Sequence, residues 1–143
     1  PVAEELEATT DQEKHEQRPV SEVELDWDAA RKATGHMEDL LVEVLEAFLE
    51  EGPELLDEIE RSLKEERAAE TRRAAHSLKG GLRLFGEPPG YRLALELESA
   101  AKDNQLDGCR PLMETLPRQV HSVLDEVRAF VNRYRQDEDA GNS

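Results

Sequence analysis

Apolar residues recur along this chain at intervals of three and four, and nowhere do they alternate with period two. That spacing predicts helices throughout. Met37, Leu40, Leu41, Val44, Leu45, Phe48 and Leu49 form one stripe, and Gly52 followed by Pro53 closes that helix and opens the next. Leu55, Leu56, Ile59 and Leu63 give the following helix its apolar face. A further stripe, Ala68, Ala75, Leu78, Leu82 and Phe85, is stopped by Gly86. Pro88 and Pro89 suit the first turn of another helix carrying Leu93, Leu97 and Ala100, with Tyr91, Ala94 and Leu95 alongside. After a loop at residues 104–108, a long helix is expected over residues 111–134. Its inward positions are Leu112, Leu116, Val120, Val123, Leu124, Val127, Phe130 and Val131, with a kink at Pro117. Ahead of all these, Asp26 can cap a short helix that runs through Thr34 and ends at Gly35 in the left-handed conformation.

Short connections between long helices make sequence neighbours antiparallel. The expected fold is therefore all-α, an up-down-up-down four-helix bundle with an additional short N-terminal helix. The 143 residues amount to one domain with a single core. Residues 1–20 hold six acids, two bases and no aromatic ring, too little apolar surface to repay ordering, and are expected to form a disordered acidic linker. Residues 136–143 are polar and end in Gly-Asn-Ser, an expected disordered tail, which leaves residues 21–135 as the folded unit. The first residue is proline, so the chain is expected to be a piece of a longer polypeptide.

Charge sharpens this picture. Asp and Glu number 34 against 18 Lys and Arg, for a net charge of -16. Phosphate backbones and anionic lipids are repelled by such a surface, so the expected partners are proteins, with neither nucleic acid nor direct membrane contact. The single cysteine, Cys109, has no partner for an internal disulfide, and neither a secretion signal nor a bilayer-length apolar run is present, which points to the cytoplasm. Residues 71–86 stand out on this acidic background. They contain no Asp or Glu, but do contain Arg72, Arg73, His76, Lys79 and Arg83. A basic island on an acidic chain calls for an anion.

At about 100° per residue, His76 points roughly 135° away from the inward stripe of its helix and should face water. Gly80, one turn on, lies nearly opposite the core, where glycine costs about 1 kcal/mol relative to alanine. Space is needed there, and a partner closing over His76 would need it. Gly81 lies nearer the side of the bundle, where it permits close helix packing. An exposed imidazole is a good nucleophile towards phosphorus, since the reference histidine pKa of about 6.5 leaves it mostly neutral in a cytoplasm. Lys79 can reach a phosphoryl group on His76 from the adjacent turn. A carboxylate-bridged metal bundle fails on spacing, because none of His15, His36, His76 and His121 has Glu three residues before it. A glycine-rich phosphate loop is also missing, so an ATP site has no visible basis.

The run Ala75-His76-Ser77-Leu78-Lys79-Gly80-Gly81, followed by Leu84-Phe85-Gly86, resembles the signature of histidine-containing phosphotransfer (HPt) domains. The likeness extends more loosely over residues 25–131, including Phe48-Leu49-Glu50 and Leu97-Glu98. It implies a monomeric bundle, without a cofactor of its own, in which His76 takes a phosphoryl group from a receiver-domain aspartate and passes it to another receiver. Mg²⁺ would belong to the partner receiver. The same resemblance implies that Lys79 stabilises the phosphohistidine, that Gly80 admits the partner, and that Glu98 holds the Nδ1 proton of His76. Arg72, Arg73 and Arg83 are the expected partner-binding residues. The parent polypeptide would be a hybrid sensor histidine kinase. Two features depart from the pattern: Arg83-Leu84 and Pro88-Pro89 make the following turn basic and stiff, and Ser77 stands where self-phosphorylating kinase helices carry an acid. A chemotaxis-type kinase domain, phosphorylated from ATP by a catalytic domain, is the alternative within the class. A non-catalytic docking bundle is the alternative outside it.

Overall fold

The computed structural model describes residues 23–141, and all regular structure among them is helical. The expected 1–20 linker lies outside the described residues. Helix α1 is Trp27–Ala33, α2 Glu38–Lys64, α3 Ala68–Leu82, α4 Tyr91–Lys102, α5 Leu106–Cys109 and α6 Leu116–Gly141, with 3-10 turns at Arg83–Phe85 and Arg110–Glu114. The long helices α2, α3, α4 and α6 form the bundle, with α3 packed between α2 and α4 and with α6 closing against α2. The buried residues make one continuous core, in which Leu41, Leu45, Ile59, Leu78, Leu82, Leu97, Leu116 and Leu124 are fully enclosed.

Local chemistry explains most boundaries. The Asp26 carboxylate accepts from the Ala29 amide at 2.9 Å and starts α1 as the sequence predicts. Gly35 and His36 both take positive φ, 62° each, and turn the chain into α2. Helix α3 ends at Leu82, three residues short of the expected Phe85, and Gly86 with φ 77° closes the 3-10 turn Arg83–Phe85 that follows. The α2 C-terminus is held from across the sequence, where Arg110 donates to the Leu63 carbonyl at 2.9 Å. The Trp27 indole stacks on Phe130 at 4.3 Å between centroids and meets Phe85 edge-on at 5.2 Å, pinning α1 across the end of the bundle.

Several expectations are corrected. Gly52 and Pro53 do not separate two helices; α2 is one helix of 27 residues with Pro53 inside it. A missing amide hydrogen bond at proline costs about 3 kcal/mol in isolation. Tertiary packing offsets it, because α2 buries Phe48, Leu56 and Ile59 on both sides of that point. Gly52 serves contact instead: a Cβ there would meet Leu124 at 3.3 Å. Pro88 and Pro89 precede α4 rather than start it, since Gly90, in the left-handed region at φ 92°, is the N-cap. The 104–108 loop is partly helical, as α5 begins at Leu106. The last long helix starts at Leu116, not residue 111, which puts Pro117 in the first turn, where its absent N–H has no helical partner to lose. Its helical conformation continues through residues 136–141 of the segment expected to be a tail. An i,i+3 ion pair, Arg135 to Glu138 at 3.5 Å, spans the expected boundary.

Tyr134 on α6 donates its phenol to Asp39 on α2, and that bond, with help from partial burial, pushes its pKa up to about 12 from 10.0. A raised phenol pKa contributes stability that is complete below the unfolded value and lost as pH rises through the folded one. Alkaline unfolding followed by circular dichroism should therefore show the Tyr134→Phe gap in stability narrowing between about pH 10 and 12.

Candidate functional site

His76 lies on the outer face of α3 with 67% of its side chain exposed, as the helical phase predicts. Its Nδ1 lies 2.7 Å from Oε2 of Glu98 on the neighbouring α4. The other carboxylate oxygen, Oε1, is 2.6 Å from Lys79 Nζ. One carboxylate thus joins the two α3 side chains that sequence pattern singles out, and only 15% of it is exposed. Burial pushes the Glu98 carboxyl up, but hydrogen bonds from Lys79 and His76 and their charges outweigh burial and hold it below the usual carboxylate range. An ionised carboxylate only accepts hydrogen bonds, so His76 Nδ1 carries the proton and donates. The lone pair of the neutral ring is then on Nε2, the nitrogen not tied to Glu98.

The two glycines after Lys79 do different things. A Cβ on Gly81 would stand 2.5 Å from Phe48 Cε1, so that glycine lets α2 and α3 approach. A Cβ on Gly80 would meet nothing within 4 Å. Packing therefore gives no reason for glycine at 80, and the open surface it leaves lies one turn from the imidazole. Arg72, Arg73, Ala69, His76 and Glu98 line a shallow cleft of about 340 Å³. Neither arginine is paired with an acid among the described residues. Arg83 is not part of this cleft; its guanidinium donates to the Tyr91 hydroxyl at 2.8 Å and lies over that ring. Tyr91 is the residue the sequence reading missed here, and its place beside Arg83 follows from α4 starting at 91 rather than at the prolines. His36 sits in the α1–α2 turn and His121 is exposed on α6, both apart from the cleft. Among the described residues no group of three His, Cys, Asp or Glu side chains could hold a metal ion. No described helix is long and apolar enough to cross a membrane. Cys109 is buried and unbridged.

Known proteins share the sequence pattern and the fold. The sequence model of the Hpt domain family matches residues 43–130. No curated protein matches the chain significantly. Among solved structures, the HPT domain of an Hpt sensor hybrid histidine kinase from Shewanella superposes with TM-score 0.67 at 26% identity, covering 76% of this chain and 94% of that one. Histidine-containing phosphotransfer protein B from Pseudomonas aeruginosa superposes with TM-score 0.66 at 28% identity, covering 77% of this chain and 96% of that one.

Two outcomes follow from the site geometry. In thermal melts Gly80→Ala should stabilise the fold by about 0.5–1 kcal/mol, the helix-propensity gain, whereas Gly81→Ala should cost about 1–3 kcal/mol, because Phe48 must move. Removing the Lys79 ammonium with Lys79→Met should raise the Glu98 pKa, as measured by carbon-detected NMR titration of the carboxyl. An unmoved titration would show that Lys79 does not hold this carboxylate charged.

Proposed function

Because the chain belongs to the Hpt domain family, a family whose members work with receiver domains of response regulators in phosphorelays, we propose that His76 is its phosphoryl-accepting atom centre. The domain is a phosphorelay intermediate of two-component signal transduction. The observation that carries the assignment of His76 is the Glu98 carboxylate, which bonds the exposed imidazole through Nδ1 and leaves Nε2 as the nucleophile.

In this reading a receiver domain brings its aspartyl phosphate to His76 over the open surface at Gly80. The Nε2 lone pair forms the new N–P bond in line with the departing carboxylate oxygen, and the P–O bond to the receiver aspartate breaks. As the ring gains positive character it keeps its Nδ1 proton on Glu98, whose negative charge favours that state. Transfer to a second receiver reverses these steps. Lys79 stands beside the same carboxylate, so its ammonium is within the local field of the phosphoryl oxygens on His76. Arg72 and Arg73 attract the partner's anionic centre to the longest acid-free stretch of this chain, residues 71–86. Arg83, though tied to Tyr91, remains exposed and contributes to the same field. Most of the rate enhancement would belong to the partner, whose Mg²⁺ would supply charge neutralisation; this chain contributes an oriented nucleophile and needs no cofactor of its own. The module works as a monomer in the cytoplasm, without touching the membrane, as part of a hybrid sensor kinase. The parent kinase would supply the catalytic ATP site that residues 71–86 lack.

Mixing the domain with a receiver phosphorylated on aspartate should move label to the wild-type chain as acid-labile, base-stable phosphohistidine. His76→Gln should abolish it. Glu98→Ala should slow transfer by about 10–100-fold, the loss of an oriented, proton-bearing Nδ1. Equal labelling of the His76→Gln chain would remove the reading altogether.

A further inference from the structure

Glu98 can orient His76 only if α4 is held at the right height beside α3, and the connection between these helices does not settle that height by itself. Residues 86–90 begin and end with glycines at positive φ, Gly86 at 77° and Gly90 at 92°, and glycine is free on both sides of φ. Pro88 and Pro89 stiffen only the middle. What fixes α4 comes from side chains outside the turn.

Three observations place that fixing point at the first turn of α4. Gly90 is the N-cap, and it has no side chain to cap with. In a reciprocal cap a Glu or Gln at the third helical position reaches back to the N-cap amide, but here that position is Leu93. The acceptor comes instead from α6: Gln119 Oε1 takes the Gly90 N–H at 2.7 Å in a partly buried bond. Sterics point to the same place. A Cβ on Gly90 would meet Val120 at 3.3 Å, Leu82 at 3.5 Å and Leu116 at 3.7 Å, so the start of α4 is seated in a notch between the end of α3 and the first turns of α6. As a whole, α4 packs along α3 and approaches α6 far less closely. The third observation is the Arg83 bond to the Tyr91 hydroxyl at 2.8 Å. Arg83 stands seven residues after His76, and Tyr91 seven before Glu98. The Arg83–Tyr91 and His76–Glu98 pairs are therefore two rungs of one antiparallel ladder, about 10.5 Å and nearly two turns apart. A slip of α4 moves both rungs together.

We propose that Gln119 is a positioning residue for His76: its bond to the Gly90 amide sets the height of α4 and so keeps the Glu98 carboxylate opposite Nδ1. This rests on the relay reading of His76. Gln119 acts from about 12 Å along α4, the rise from Gly90 to Glu98, and not through contact with the transferred group. The chemistry needs such precision, because misplacing a reacting group by 1 Å can cost about 100-fold in rate. A single amide oxygen on α6 thus decides which ring nitrogen of His76 keeps its lone pair.

The test reads the imidazole directly. Long-range ¹H–¹⁵N NMR distinguishes a proton on Nδ1 from one on Nε2 with no receiver present, and a receiver-concentration series supplies the transfer rate at saturation and KM. Gln119→Met keeps the volume and removes the acceptor, whereas Gln119→Glu keeps an acceptor that the N-terminus of α4 favours. Expected in Gln119→Met are a shift of the His76 proton from Nδ1 towards Nε2 and a transfer rate at saturation lowered about tenfold with KM unchanged. Gln119→Glu should behave like wild type. Arg110→Met is the control for stability: it removes a side-chain bond of the same kind, to the Leu63 carbonyl at the end of α2, and should lower the melting temperature without moving the His76 tautomer. An unmoved tautomer in Gln119→Met overturns the proposal, whatever its melting temperature or rate, and so does a Gln119→Glu chain that behaves like Gln119→Met. Should Gln119→Met fail to fold, the milder Gln119→Asn, one methylene too short, takes its place under the same criterion. Failure of the wild type to accept label from any receiver fells the relay reading, while the tautomer series still decides whether Gln119 holds Glu98 to His76.

Discussion

The Glu98 carboxylate is the point on which the geometry of the site depends, because it ties α3 to α4 through two side chains of opposite character. A buried carboxylate left alone would take up a proton. Lys79 and His76 keep it charged, and in return it holds the proton on Nδ1 of an imidazole that remains largely in water. The pairing is a desolvated anchor with an exposed working end. Its value is orientational more than energetic: the net worth of an ion pair at a partly exposed site is modest, but a ring fixed in one tautomer presents one nucleophilic nitrogen.

Around that anchor the backbone supplies clearance. Gly81 removes a side chain on the inner flank of α3 so that Phe48 can seat, and Gly80 removes one on the outer flank with nothing behind it. Consecutive identical residues thus answer to two different surfaces, one belonging to the core and one to the solvent. The acidic bulk of the chain and the acid-free segment around His76 complete the arrangement, since a charged partner finds one region where approach is favourable.

Much of this was legible in the sequence. The three- and four-residue spacing gave the bundle, Asp26 gave one of its boundaries, and helical phase put His76 in water. Glu98 entered through family resemblance, since a Leu-Glu pair on an amphipathic helix carries no signal of its own. What failed to show has physical causes. Pro53 reads as a break because local propensity disfavours it, yet packing on both sides carries α2 through. Leu40 and Val44 share the phase of a broad apolar stripe, but the core needs a narrower one, and no periodicity marks where burial stops. Arg83 looks like a neighbour of His76 along the chain, whereas the 3-10 turn and the start of α4 at Tyr91 give it a different companion. These are non-local outcomes, decided by which helices meet.

The ring cluster at the bundle end has a practical corollary. The chain contains a single tryptophan, and its indole is wedged between Phe130 of α6 and Phe85 at the close of α3 while belonging to α1 itself. Three segments far apart in sequence therefore converge on one fluorophore. Its emission is an intrinsic, label-free gauge of whether the short leading helix is seated, separable from any signal at the imidazole.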